Sequence, residues 1–237
     1  MKIKKLSFGI ILGVFIFISC SKEEDDLISQ NCEANCTEII GKIMTDNGTV
    51  PISNLKLTVK WDNIPYLGSG IIRTKATTRT DSQGNFYLKF YIRDDELEEG
   101  GFRLSYEQLD NNEYLKTDLN GISLFQITRD TTLTINHNVP KKAYLNLSLL
   151  NLDQVQQGNS LMTEFSYPRP SGFSQSIDGQ VRGWNSESEE NHLLEIAGNQ
   201  PIELKIYRTV NGVQSTEIEN ITFDAGTTSD YSIDFNN

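Results

Sequence analysis

Histidine is the side chain that most often moves a proton or holds a metal near neutral pH, and this chain has two, His137 and His192. Neither stands at ligand spacing from a cysteine or from the other, so neither a zinc centre nor a Ser-His-Asp relay is expected. No Gly-x-Ser-x-Gly elbow occurs, and Gly68-Ser69-Gly70 lacks the lysine and helix of a phosphate-cradling loop. Two carboxylates suffice for glycoside hydrolysis, but 32 acidic residues single out no pair. Small β-sandwiches with short loops also rarely supply the cleft that raises one carboxylate's pKa. The chain is therefore read as a non-enzyme without a cofactor, a carboxylate-based hydrolase being kept as a rival reading.

Binding chemistry offers more. Sugar rings stack on aromatic faces, and Tyr167, Phe173 and Trp184 are the candidate ligand-contact set, gathered around the loop Pro168-Arg169-Pro170-Ser171-Gly172, with core packing the favoured alternative for Trp184. Trp61 falls in phase with Leu55, Leu57 and Val59 and is assigned to the core. Asp81, in a turn, and the acidic run Asp94 to Glu99 invite a calcium reading, against which stand an ordinary turn aspartate and a solvated loop. No metal site is assigned. Cys32 and Cys36 are expected to form a disulfide in an oxidising compartment, leaving Cys20 as the third cysteine.

The position of Cys20 sets the context for the rest. Lys2, Lys4 and Lys5 precede an apolar run from Leu6 to Ile18, which reads as a signal peptide over residues 1–19, too short for a committed membrane span. Ser19-Cys20 at its end resembles the lipobox of bacterial lipoproteins. That resemblance implies cleavage before Cys20 and lipidation of it, the alternative being an ordinary secreted protein with a chance cysteine. Ser21-Lys22-Glu23-Glu24-Asp25-Asp26 is similar to the acidic export signals that follow the lipidated cysteine in some Gram-negative lineages. It implies an outer-membrane lipoprotein facing the cell exterior; a plain solvated charge run is the alternative. Residues 20–36 are read as an acidic tether. The formal charge of −11 becomes more negative once the signal-peptide lysines are lost, and it excludes nucleic acid as a partner.

The elements that must position any site are strands. From Thr37 onward short alternating runs are bounded by turn residues: Ile39, Gly41 and Ile43; Leu55 to Trp61; Phe86, Leu88, Phe90 and Ile92; Phe102, Leu104 and Tyr106; then Ile122 to Ile127 and Leu133 to Ile135. Gly41 to Gly48, Pro51 to Leu55 and the Thr80-Asp81-Ser82-Gln83-Gly84-Asn85-Phe86 hairpin resemble the carboxypeptidase regulatory-like domain, a transthyretin-like β-sandwich, over residues 37–138. The resemblance implies a fold with no catalytic residues of its own, and it places a long insertion at Asp62 to Ala76. Asn138-Val139-Pro140-Lys141-Lys142 marks a boundary. Beyond it Ala143 to Leu149, Leu161 to Tyr167, Ile202 to Ile206 and Tyr231 to Phe235 alternate again. Val210-Asn211-Gly212-Val213 is a two-residue hairpin, and a slip of parity after Ile218 suggests a bulge.

The fold expected is all-β, with two β-sandwiches in series at 37–138 and 139–237 after a signal peptide and short tether. The function expected is that of a lipid-anchored, surface-exposed binding or structural module, possible in two forms. One is a glycan-binding accessory of nutrient uptake, marked by an aromatic platform. The other is a pilus or adhesion component with transthyretin-like domains, marked by a donor strand or an open sheet edge. The partner, protein or glycan, is not specified by the sequence.

Overall fold

The computed structural model describes residues 22–66, 69–116, 120–177 and 179–236. Residues 1–21 lie outside them, and with them the signal peptide, the lipidation site Cys20 and Ser21 of the export motif. Strands dominate, as the alternating runs predict, and no helix among the described residues is long and apolar enough to cross a membrane.

The first sandwich contains β1 (Lys22–Asp25), β2 (Thr37–Thr45), β3 (Val50–Pro51), β4 (Lys56–Asn63), β5 (Ile71–Arg79), β6 (Asn85–Phe90), β7 (Gly101–Tyr106), β8 (Gly121–Leu124) and β9 (Thr132–Asn138). One sheet runs β1-β5-β4-β7-β8; in the other, β2 lies between β9 and the pair β6 and β3. Leu57, Val59, Trp61 and Leu104 from the first sheet meet Ile39, Ile43, Leu88 and Phe90 from the second, all of them buried. Burying one such side chain contributes about 1.5–3 kcal/mol, so the period-2 alternation fixes which face turns inward. The hairpin between β5 and β6 closes as its residues suggest. The Asp81 carboxylate accepts from the backbone N–H of Gln83 and Asn85, and Gly84 takes φ +75°.

Gly41 has a different reason to be glycine. It faces Ile135 across the parallel β2–β9 ladder, and a Cβ there would overlap the Ile135 carbonyl oxygen. Gly41→Ala is therefore expected to push β9 from β2 at a cost of about 1–3 kcal/mol, read as a lowered denaturation midpoint. An unchanged midpoint would mean the strands do not approach this closely.

The second sandwich contains β10 (Lys141–Leu150), β11 (Ser160–Ser166), β12 (Ser174–Gln175), β13 (Gln180–Trp184), β14 (Asn191–Gly198), β15 (Ile202–Val210), β16 (Val213–Ile221) and β17 (Thr228–Asp234). Its sheets are β14-β10-β17 and β13-β11-β15-β16, closed over Ala143, Leu145, Leu147, Leu149, Leu204 and Ile233. Val210 faces Val213 across Asn211-Gly212, and the ladder continues to Ile202–Ile221 without a register shift. The bulge expected after Ile218 is absent from this ladder. The parity slips because Ile218 points to solvent, 56% exposed, while Glu217 and Glu219 occupy the opposite face.

Three further expectations are corrected. The insertion at 62–76 is mostly strand, since β5 begins at Ile71 and extends the hairpin with β4. The acidic run at 94–99 holds a short helix, α2 (Asp94–Glu98), whose Glu96 is buried. The tether is ordered from Lys22: β1 pairs in parallel with β5, and α1 (Leu27–Gln30) follows. It lacks hydrophobic periodicity because it is held by polar contacts. Asp26 is buried, and Ser29 exchanges contacts with Tyr91, its carbonyl accepting from the Tyr91 N–H and its hydroxyl donating to the Tyr91 carbonyl.

Candidate functional site

Of the residues singled out from the sequence, Cys32 and Cys36 are bonded, with Cα atoms 5.8 Å apart. The export motif is split: Lys22, Glu23 and Asp25 are exposed on β1, Glu24 is half-buried, and Asp26 is turned inward.

The aromatic trio does not form a platform. Trp184 is 5% exposed, and its Nε1 donates to Thr163 Oγ1 at 3.0 Å. The His192 ring lies 4.6 Å from it and the Arg182 guanidinium covers it at 4.7 Å. Tyr167 buries its hydroxyl, and that burial pushes its pKa up to about 12. Phe173 packs on the turn at Gly48 of the first sandwich. All three side chains are spent on structure, and this corrects their assignment as a shared ligand-contact set.

Asp26 instead enters an ion cluster. Lys75 Nζ, fully buried in β5, lies 2.5 Å from Asp26 Oδ2 and 2.7 Å from Glu96 Oε2. Arg93 donates to both Asp26 oxygens at 3.0 and 2.6 Å, and the Ser29 N–H donates to Oδ1. Arg73 reaches Glu96 and Asp95 while lying over the Trp61 ring at 4.6 Å. Burial raises the Asp26 pKa, but the bonds from Arg93 and Lys75 outweigh it and bring it down to about 2. The cluster is thus an ionic latch that fastens the N-terminal segment to β5 and α2. Its two carboxylates have no cleft between them; Lys75 fills the space.

His137 belongs to the junction of the sandwiches. Its Nδ1 is 2.9 Å from Ser174 Oγ, and that hydroxyl donates to the Asn136 carbonyl, so the ring N–H is the donor. β12 pairs in parallel with the end of β9, Ser174 facing His137 and Gln175 facing Asn138. The buried Asn138 amide donates to Gln175 and Gln200 and accepts from the Gly48 N–H. Asp46 receives Lys141 and Asn199 from the far side. A strand of one sandwich therefore completes a sheet of the other.

β12 covers only that end. Among the described residues, the side of β9 away from β2 has no strand partner along Thr132–Asn136, and the outer side of β8 has none either. Between them lies a groove of about 420 Å³ lined by Ile122, Leu124, Phe125, Leu133 and Ile135, with Gly172 and Ser174 closing one end. Phe125 stands 83% exposed at its rim.

Sheet edges are ordinarily guarded by charge. That holds for β1 with Glu23 and Asp25, β6 with Lys89, β13 with Arg182, β14 with Glu195, β16 with Glu217 and Glu219, and β17 with Asp230 and Asp234. β8 and β9 are the edge strands longer than two residues, among those described, that carry no residue charged at neutral pH. The sequence places both strands; what it hides is that they end up as edges facing each other. The absence of charge in two successive strands is the signal that could have flagged them.

No family model and no curated protein matches the chain. Among solved structures it is similar to the Bacillus anthracis TIE protein, at 11% identity and TM-score 0.31, over 84% of this chain and 34% of that one. It thus spans about a third of that protein's length. It is also similar to the shaft pilin SpaA from Lactobacillus rhamnosus GG, at 10% identity and TM-score 0.30, over 84% of this chain and 97% of that one. A Streptococcal ancillary pilin gives 9% identity and TM-score 0.30, over 85% and 63%. At these scores the likeness assigns neither family nor function.

Proposed function

We propose that the chain is a lipid-anchored, surface-exposed, non-catalytic module of the outer membrane that receives an extended peptide strand from a partner protein, the adhesion or pilus form of the two readings above. The observation that carries it is the pair of uncharged, unpaired edges of β8 and β9 flanking an apolar groove. An added strand would satisfy the free backbone groups and place alternate side chains against Ile122, Leu124, Leu133 and Ile135. β12, seated in parallel on the last two residues of β9, occupies one end of that slot. The glycan form has no comparable support, since the trio meant to stack on a sugar is buried or packed between sandwiches. The carboxypeptidase regulatory-like assignment of residues 37–138 fits the same picture, as a sandwich scaffold without chemistry of its own.

A photo-reactive residue at the exposed Thr134 tests the proposal in intact cells. The expected result is a discrete cross-linked protein adduct that disappears on Phe125→Asp, because a charge at the rim guards the edge. Absence of any adduct at Thr134, or adduct unaffected by Phe125→Asp, would remove the groove from the function.

A further inference from the structure

β1 runs parallel to β5 with Lys22 opposite Ile71, and Ile71 lies opposite Asn63 at the end of β4. Asp62 faces Gly101, and Phe102 faces Leu124. One end of this sheet therefore gathers Lys22 at the start of β1, the loop leaving β4, and the residue that follows β8. The exposed apolar side chains at that end are Ile64 at 53%, Tyr66 at 100%, Ile71 at 40% and Phe125 at 83%. Ile64 packs against Gly70, whose carbonyl accepts the Lys22 N–H at 3.0 Å, so the loop and the chain's entry point are one local structure.

Only Ser21 separates Lys22 from Cys20, and two residue steps of chain span at most about 7 Å. That is close to the thickness of one headgroup layer. The latch at Asp26 and the β1–β5 ladder prevent the sandwich from swinging away on a tether. We infer that the Ile64-Pro65-Tyr66 loop, with Ile71, docks on the bilayer surface that holds the acyl chains of Cys20. This rests on the lipid-anchor reading. The chemistry suits the occupant: a phenol ring is at home at the headgroup level, and apolar loop residues add to an anchor that is otherwise acyl chains alone. The charges nearby nearly balance, Lys22 pairing with Glu24 and Lys60 with Glu23 while Asp62 stands beside them, so the fit is to zwitterionic headgroups.

The test uses the full-length precursor, processed in cells, purified and reconstituted in phosphatidylcholine vesicles. Tyr66→Trp adds an indole where the side chain is fully exposed, against the constant signal of the buried Trp61 and Trp184. The difference emission is expected to shift to the blue on reconstitution, to be quenched by brominated lipid, and to lose most of its quenching by aqueous iodide. Val213→Trp, at the hairpin tip of the second sandwich, should show none of these changes. If mass spectrometry finds Cys20 acylated and the protein floats with vesicles while the indole at position 66 stays open to iodide, the loop does not dock and the anchor reading survives. If Cys20 carries no lipid and Cys20→Ser floats as wild type does, both readings fall.

Discussion

Exchange of Lys75 for methionine is expected to destabilise the protein by about 1–3 kcal/mol, because it removes the buried cation that Asp26 and Glu96 share and leaves each carboxylate with one arginine, Arg93 or Arg73. Methionine fills nearly the same volume, so a cavity contributes little. What is lost is the charge that both acids face. Urea unfolding measures the loss, and the triple variant Lys75→Met, Asp26→Leu, Glu96→Leu separates the causes. Replacing these three buried groups by apolar ones should restore part of the stability, since Arg73 keeps Asp95 and Arg93 is partly exposed. A loss under about 1 kcal/mol in the single variant would mean the three groups are not held together as described.

Acid should act on the same latch from the other side. The Asp26 carboxyl sits at about 2 in the folded chain against its ordinary 3.8. The folded state therefore holds its proton less tightly than the unfolded one. The stabilisation, on the order of 2 kcal/mol, is present above about pH 4 and disappears as pH falls through 2. Since Asp26 also ties β1 to the sheet end that carries the loop at Ile64, loss of the latch would loosen the attachment of the N-terminal segment before the core of the sandwich yields.

Why the strands were legible and the latch was not follows from what each leaves in the sequence. Leu57, Val59 and Trp61 announce a buried face by period alone, and Ala143, Leu145, Leu147 and Leu149 do the same; each residue testifies to its own burial. Lys75, Asp26 and Glu96 do the opposite. Each taken singly reads as solvated, and only their meeting, across 49 and 21 positions of chain, makes burial tolerable. Lys75 also interrupts the apolar pattern of β5, so period alone does not mark the strand before Thr78. The groove fails to show for a topological reason. Ile122 and Leu133 read as ordinary strand residues, and whether a strand is central or an edge depends on what lies beside it. For Trp184 the polar, acidic neighbourhood leaves core and ligand platform both open, and the β11–β13 pairing decides for the core: it sets the ring against Leu161, two residue pairs from Thr163, and its indole N–H is satisfied inside.

The junction between the sandwiches should give way in mild acid, well above the range in which Asp26 titrates. Burial holds the His137 imidazole down to about 4 from its ordinary 6.5, because an imidazolium there would lose its water and gain no carboxylate. Its neighbours include Ser174 and, at 5.9 Å, the Tyr106 ring, and neither carries a negative charge to offset an imidazolium. In the unfolded chain the ring binds a proton below about pH 6.5; in the folded chain it does so only near 4. The unfolded state thus holds more protons across that window, and stability falls as pH falls, by on the order of 3 kcal/mol in all. His137→Gln keeps a donor for Ser174 and cannot titrate. Its unfolding free energy should be nearly flat between about pH 7 and 4.5, where that of the wild type declines by about 2–3 kcal/mol. Equal slopes in the two proteins would show that some other group carries the dependence. The position of the ring gives the slope a structural meaning. Ser174 is the residue through which β12 enters the sheet of β9, so protonation of His137 works against the pairing that joins the two sandwiches and closes one end of the groove.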